Sequence, residues 1–296
     1  MAREVRRARA RPVRLSLTGK CVPTVQPTLP RTGASTHNAA IRADSAAGQG
    51  WALDNYESGG FRAQPAILTL DRGYAICTEA RSGSSYLCDI LKTTGILGNP
   101  DEYFNTYCMT VTRGIADYPA DPEGQFAAMK HRMATPNGVY GLKVFSGHFD
   151  NAQITQWTER LPDLHFIHLV RLDVLAQAIS HVRAWQTMQW THGAAKRSEP
   201  VYDFDRINLE VKRLLKSQNR WRYYFARNSA PVLHLNYEQV CEDPQGAADR
   251  VARLIGLGET PKVDPDRIAL SIQRDAINDE WRARYIATAG SLAVFD

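Results

Sequence analysis

The sequence predicts an α/β domain built on a central parallel sheet flanked by helices. Three observations carry this expectation. Short apolar runs at 74–77, 139–145, 164–170 and 231–235 have strand length. Stretches with helical spacing lie between them. The run LHFIHLV at 164–170 is apolar almost throughout, as a strand covered on both faces must be.

Composition and charge fit this class. The 296 residues are 44% hydrophobic and 23% charged, the balance of a soluble globular protein able to bury a full core. Much of the net charge of +5 sits in the first 20 residues, where Arg3, Arg6, Arg7, Arg9, Arg11, Arg14 and Lys20 face only Glu4. The rest is near neutral, which argues against a nucleic-acid partner. Five cysteines, an odd count without C-x-x-C spacing, argue against a disulfide framework or a zinc site and for a reducing, cytoplasmic setting. No window approaches the roughly 18 apolar residues of a transmembrane helix.

Residues 1–66 are rich in Ala, Arg, Ser, Thr, Gly and Pro and are expected to form a basic, disordered arm before a domain at 67–296. A transit-peptide-like leader and an overlong start are equally compatible with the first 20 residues. The domain opens with the strand at 74–77, a polar turn at 78–83, and a helix carrying Leu87, Ile90, Leu91 and Thr94. A loop between strand and helix converges backbone N–H groups on the positive end of the helix dipole, a setting for a phosphate or sulfate. Arg81, Ser82, Ser84 and Ser85 add side-chain donors, and Gly83 lets the backbone approach an anion. The nucleoside-triphosphate loop G-x-x-x-x-G-K-[ST] is absent, so an ordinary ATP or GTP site is disfavoured.

Gly95 caps this helix, Ile96 and Leu97 return to the core, and Gly98-Asn99-Pro100 turns the chain into Asp101, Glu102, Tyr103 and Phe104. Residues 105–125 carry no readable pattern. A short helix is expected at 126–133, stopped by Pro136-Asn137-Gly138, then a strand at 139–145 and a helix at 151–160 closed by Pro162. The strand at 164–170 leads into a helix at 173–190 that Asp173 can cap. The polar stretch 191–200 is a candidate lid. A long helix at 205–228 carries a stripe of Ile207, Val211, Leu214, Leu215 and Trp221, and its basic residues are read as a solvated face. A strand at 231–235 and a helix at 244–255, ended by Gly256, complete the pattern.

Arg171 closes the third strand, and Ser180 follows two helical turns inside the next helix. A guanidinium fork with a hydroxyl suits an isolated phosphate. Together with the first loop this gives two anion sites at the carboxyl ends of parallel strands, which would suit a nucleotide phosphorylated at two places. As isolated residues, Arg171 reads equally as a surface arginine and Ser180 as a helix serine bonded to its own backbone.

The segments TEARSGSSYLCD, GILGNPDEYF, HLVRLDVLAQAIS and RAWQTMQW, with late support from QRDAINDEW at 273–281, resemble the trehalose 2-sulfotransferase family of bacterial carbohydrate sulfotransferases over most of residues 70–290. The resemblance implies a P-loop-like sulfotransferase fold, 3′-phosphoadenosine 5′-phosphosulfate (PAPS) as sulfuryl donor, no metal, a carbohydrate or glycolipid acceptor, and a homodimer. It implies that Arg81, Ser82, Gly83, Ser84 and Ser85 form the 5′-phosphosulfate loop, that Arg171 and Ser180 hold the 3′-phosphate, and that Glu102 is the general base. Arg81 would also stabilise the sulfonate during transfer. Asp101 could equally be the functional acid, and Lys143 is a further candidate for charge stabilisation. Trp190, Arg183 and Gln186 are candidate acceptor contacts, although Trp185, Met188 and Trp190 read equally well as core or subunit-contact residues. His165 and His168, on opposite faces of one strand, read as structural. Two rival functions stay open: a magnesium-dependent nucleotide kinase using the same loop, and a non-catalytic protein that binds a phosphorylated or nucleic-acid ligand through the basic arm.

Overall fold

The strand Arg72–Thr78 (β1) is buried along nearly its whole length and organises the sheet. In this computed structural model, which describes residues 69–150, 156–190, 195–268 and 276–290, β1 is joined by Val139–Phe145 (β2), Leu164–Val170 (β3) and Val232–Asn236 (β4). All pairings are parallel, in the order β2-β1-β3-β4. The expected α/β class therefore holds, with all four strands where the apolar runs lie. The arm at 1–66, residues 151–155, residues 191–194 of the candidate lid and residues 273–275 of the late motif lie outside the described residues.

Alternation along β1 divides the core. Tyr74 and Ile76 face Leu87, Ile90 and Leu91 of Ser84–Thr93 (α1) and Ala248 and Val251 of Pro244–Leu254 (α6). Ala75 and Cys77 face Phe126 and Met129 of Pro122–Lys130 (α2), with Trp221 and Phe225 of Phe204–Asn228 (α4). Period-two burial of this kind places helices on both faces of the sheet.

The chain between α1 and α2 is stitched to β2. The Tyr74 hydroxyl donates to the Leu97 carbonyl at 2.5 Å, Asn99 N–H bonds Met133 O at 2.9 Å, and Lys143 N–H bonds Asp101 O at 2.9 Å. The pairing holds Asp101 and Glu102 beside the carboxyl half of β2. Residues 105–125, unreadable in sequence, contain a short π-helix at Cys108–Thr112. The helix expected at 126–133 begins earlier, at Pro122, because the Asp121 side chain accepts from Gly124 N–H and Pro122 occupies the first turn. It ends at Lys130. The described part of the helix expected at 151–160 is a single 3₁₀ turn, Trp157–Arg160.

Beyond β3, Asp173 caps Val174–Thr187 (α3) by accepting from Ala176 N–H at 3.0 Å. This helix stops before Trp190, at a left-handed Met188. Helix α4 buries Ile207, Leu214 and Trp221, whereas Leu215 is 45% exposed and lies off the stripe. Its basic residues are exposed, as read, and two of them also pair: Arg213 with Glu210 and Glu79, and Arg220 with Asp150.

Two helices were not expected. Tyr237–Glu242 (α5) follows β4 without a linker, capped by Asn236, and Ala276–Ala289 (α7) packs on α3 and α4. Trp281 of α7 sits among Ala178, Ile179, Val182, Ile207 and Leu214, and Arg282 Nη1 reaches both carboxylate oxygens of Asp173 at 2.9 Å. Removing a buried indole leaves a large cavity, so Trp281→Ala should lower stability by about 3 kcal/mol in urea unfolding. Arg282→Ala, at a half-exposed pair, should cost about 1 kcal/mol or less in the same measurement.

Candidate active site

The loop between β1 and α1 is pinned from three sides. Trp221 Nε1 of α4 donates to Thr78 O at 3.1 Å, and Gln177 Nε2 of α3 donates to Ala80 O at 2.8 Å. Thr78 Oγ1 donates to Leu169 O of β3 at 2.8 Å. With its single proton committed there, Thr78 must accept from Ser82 Oγ at 2.7 Å. The Ser82 hydroxyl, counted in sequence among the donors facing an anion, is thus directed into the loop.

Gly83 precedes α1 with φ of 82°. A Cβ there would overlap the ring of Tyr237, the first residue of α5. Both the left-handed backbone and the close ring require glycine. Arg81 also lies in the left-handed region, at φ 61°. Its side chain turns toward α3, where Nε donates to Ser180 Oγ at 2.9 Å and Nη1 to Trp190 O at 2.7 Å.

This contact joins residues that the sequence placed at two anion sites. Arg81, Ser180 and Arg171 form one cluster, with the Arg171 guanidinium 5.2 Å from the Tyr237 ring centroid. Arg171 Nε is buried and has no hydrogen-bond partner among the described residues. Burial, and then the charges of Arg171 and Arg183, push the Arg81 guanidinium below its usual range. Arg183 Nη1 reaches Asn278 Oδ1 of α7 at 2.5 Å. The Trp190 ring lies 5.2 Å from Trp185 and 5.9 Å from His181, and Gln186 is engaged by Val201, its Oε1 accepting from the backbone N–H at 2.9 Å.

A second cluster lies on the β2 side. The Lys143 ammonium, 2% exposed at its side chain, is 2.6 Å from Glu102 Oε1 and donates to Ser85 Oγ at 3.0 Å. Asn105 Nδ2 donates to Glu102 Oε2 at 2.8 Å. Burial raises the Glu102 carboxyl, but the Lys143 charge and the hydrogen bonds from Lys143 and Asn105 outweigh it, leaving it below the ordinary glutamate value. His148 accepts Phe145 N–H at Nδ1. Burial pushes this imidazole down to about 4, so it is neutral at physiological pH.

Asp101, which the sequence could not separate from Glu102, has a different setting. Lys92 lies 3.0 Å from one carboxylate oxygen, and Arg113 Nε is 2.8 Å from that same oxygen. Burial opposes its ionisation, yet Lys92, Arg113 and Lys143 hold it well below the usual carboxylate range. Two cations contact it directly, against one for Glu102, which fits a structural counter-ion. His165 and His168 are structural as read, bonded to Asp163 O and packed against Phe225 respectively. Sequence reasoning missed Asn105, His148 and Tyr237. The signal for Lys143 was visible: a lysine within VYGLKVF, on a strand buried on both faces, needs a partner anion.

The sequence matches the Stf0 sulphotransferase family over residues 73–288. The chain belongs to that family. It is a sulfotransferase. It is 28% identical over 268 residues to the trehalose 2-sulfotransferase of Mycobacterium tuberculosis (strain ATCC 35801 / TMC 107 / Erdman), covering 75% of this chain and 97% of the relative. It is 27% identical over 258 residues to the trehalose 2-sulfotransferase of Mycolicibacterium smegmatis (strain ATCC 700084 / mc(2)155), covering 72% and 93%. Among solved structures, the sulfotransferase from Alicyclobacillus acidocaldarius aligns with a TM-score of 0.42 at 15% identity, over 73% of this chain and 94% of that one. The sulfotransferase domain of the Synechococcus PCC 7002 olefin synthase aligns with a TM-score of 0.38 at 16% identity, over 75% and 90%. Among the described residues, no helix of this sulfotransferase is long and apolar enough to cross a membrane.

The Asp101 counter-ion gives a pH-dependent prediction. Its folded-state ionisation lies below the reference value of 3.8, so its contribution is complete above that value and is lost as pH falls below it. Asp101→Asn should therefore cost about 2 kcal/mol in urea unfolding at pH 7, and the gap from wild type should close as the pH falls below about 4.

Proposed function

We propose that this sulfotransferase moves the sulfuryl group of PAPS onto a hydroxyl of a carbohydrate, with Glu102 as general base. The observation that carries the donor assignment is the buried Arg81 guanidinium flanked by Arg171 and Arg183, a concentration of like charge that a bound anion would relieve. The unpartnered Arg171 Nε supplies a donor for it. In this reading Arg171, Ser180 and the Arg81 fork hold the 3′-phosphate, while the loop N–H groups at Gly83, Ser84 and Ser85 take the 5′-phosphosulfate at the positive end of α1. Arg81, bonded to Ser180 and set in the loop, spans both ends of the nucleotide.

The chemistry asks for positioning and charge stabilisation more than for covalent help. The acceptor oxygen attacks sulfur in line with the leaving phosphate oxygen. Its proton goes to Glu102, whose two oxygens are oriented by Lys143 and Asn105. The two cations on Asp101 favour Glu102 over it for this role. The relatives named as trehalose 2-sulfotransferases support a trehalose-like disaccharide as the acceptor class, with glycolipid and lipopolysaccharide sugars within the same chemistry. Trp190, beside Trp185, is an aromatic surface that a pyranose ring can stack on. A homodimer of domain 67–296 is part of the same proposal.

The direct test is transfer of labelled sulfate from PAPS to a panel of disaccharides and glycolipids. Glu102→Gln should lower kcat by about 10²- to 10⁴-fold while adenosine 3′,5′-bisphosphate still binds. That bisphosphate should raise the melting temperature without magnesium, and Arg171→Ala should remove most of the rise. Full turnover by Glu102→Gln would remove the base assignment.

A further inference from the structure

Lys143 stands at the join between the two halves of the proposed reaction. Its backbone is fixed in β2 opposite Ile76 of β1, and its side chain runs on the α1 face to end between Glu102 and Ser85. An ammonium has donors only, so Ser85 Oγ accepts from it and keeps its own proton for another acceptor. Ser85 lies in the first turn of α1, the end of that helix at which the phosphosulfate is proposed to bind.

We propose that Lys143 links proton transfer to sulfuryl transfer: its ammonium holds Glu102 ionised and aimed at the acceptor, and through Ser85 it delivers positive charge to the donor. The inference rests on Glu102 being the base. As the acceptor oxygen bonds to sulfur, its proton passes to Glu102. The bond from sulfur to the 5′-phosphate oxygen breaks, and its electron pair leaves with adenosine 3′,5′-bisphosphate. Protonation removes the counter-ion of Lys143 in the same step that places negative charge on the leaving oxygen. The ammonium is then balanced by the donor side through Ser85. A group that holds the base before transfer and the leaving charge after it acts as a positioning residue for both.

The surrounding groups leave Lys143 and Glu102 as each other's principal partner. From the turn after β2, His148 is neutral. From α1, burial raises the Cys88 thiol to about 11, and from the π-helix the Cys108 thiol rises to about 12, so neither carries charge. Asp101 is engaged by Lys92 and Arg113. Asp89 of α1 is raised by burial, with Lys92 and Arg113 as its largest opposing charges.

The test is the pH profile of kcat/KM for sulfate transfer by wild type, Lys143→Met and Lys143→Arg, with Glu102→Gln as the control for the base. Wild type should show an acid limb below the reference glutamate value of 4.5. Lys143→Met should move that limb up by at least about one pH unit, because an opposite charge at this range shifts a carboxyl by about 1–3 units. It should also lower kcat by about tenfold or more, with the Kd for adenosine 3′,5′-bisphosphate within about threefold of wild type. Lys143→Arg, which keeps the cation, should restore the limb. An inactive Glu102→Gln together with an unmoved limb in Lys143→Met overturns the role of Lys143 alone. A fully active Glu102→Gln overturns the base assignment and this inference with it. If Lys143→Met fails to fold, the wild-type profile decides: a limb at or above the ordinary glutamate range overturns the proposal.

Discussion

The loop after β1 must emerge between β2 and β3, because β1 pairs with both. That constraint decides which side chains can meet. From the β2 side come Lys143 and, through the segment stitched to it, Glu102. From the β3 side come Arg171 and, within the helix that follows, Ser180. Parallel strands point every carboxyl end the same way, so residues nearly a hundred positions apart face one loop without any long connection reaching over the sheet.

Charge is partitioned across that loop. On the β3 side guanidiniums accumulate: Arg81 is buried, bonded to a hydroxyl and a carbonyl, and repelled by Arg171 and Arg183. On the β2 side the buried Lys143 ammonium is matched by the Glu102 carboxylate. The first arrangement concentrates like charge, whereas the second pairs opposite charges. Asp101 and Glu102 show how finely the backbone makes the distinction. They are adjacent in sequence, yet one is clamped by Lys92 and Arg113 and the other is held by Lys143 and Asn105.

Much of the fold was legible because burial on two faces leaves a strong mark. The runs at 139–145 and 164–170 are strands with the bounds their apolar character indicates. The α2 start was missed because attention to periodicity hid the Asp121-Pro122 signal, a capping residue followed by a proline fit for the first turn. Helix α7 was missed because its apolar residues, Ile277, Trp281 and Tyr285, follow helical spacing but are few and set among charges. In the site, residue types were readable and directions were not. Nothing in the order of letters says that Arg81 turns toward Ser180 or that the Ser82 hydroxyl turns inward to Thr78. Those directions follow from a left-handed backbone at 81 and from a proton already committed by Thr78 to Leu169.

Tyr237 fills the space that a side chain at 83 would need and lies under the Arg171 guanidinium. It is the first residue after β4, the terminal strand of the sheet, with no linker between them. The aromatic floor of the loop is therefore mounted on the margin of the sheet, where, among the described residues, β4 pairs on one side alone. Fraying of that margin would tilt the ring away from the glycine before any residue of the loop itself had moved.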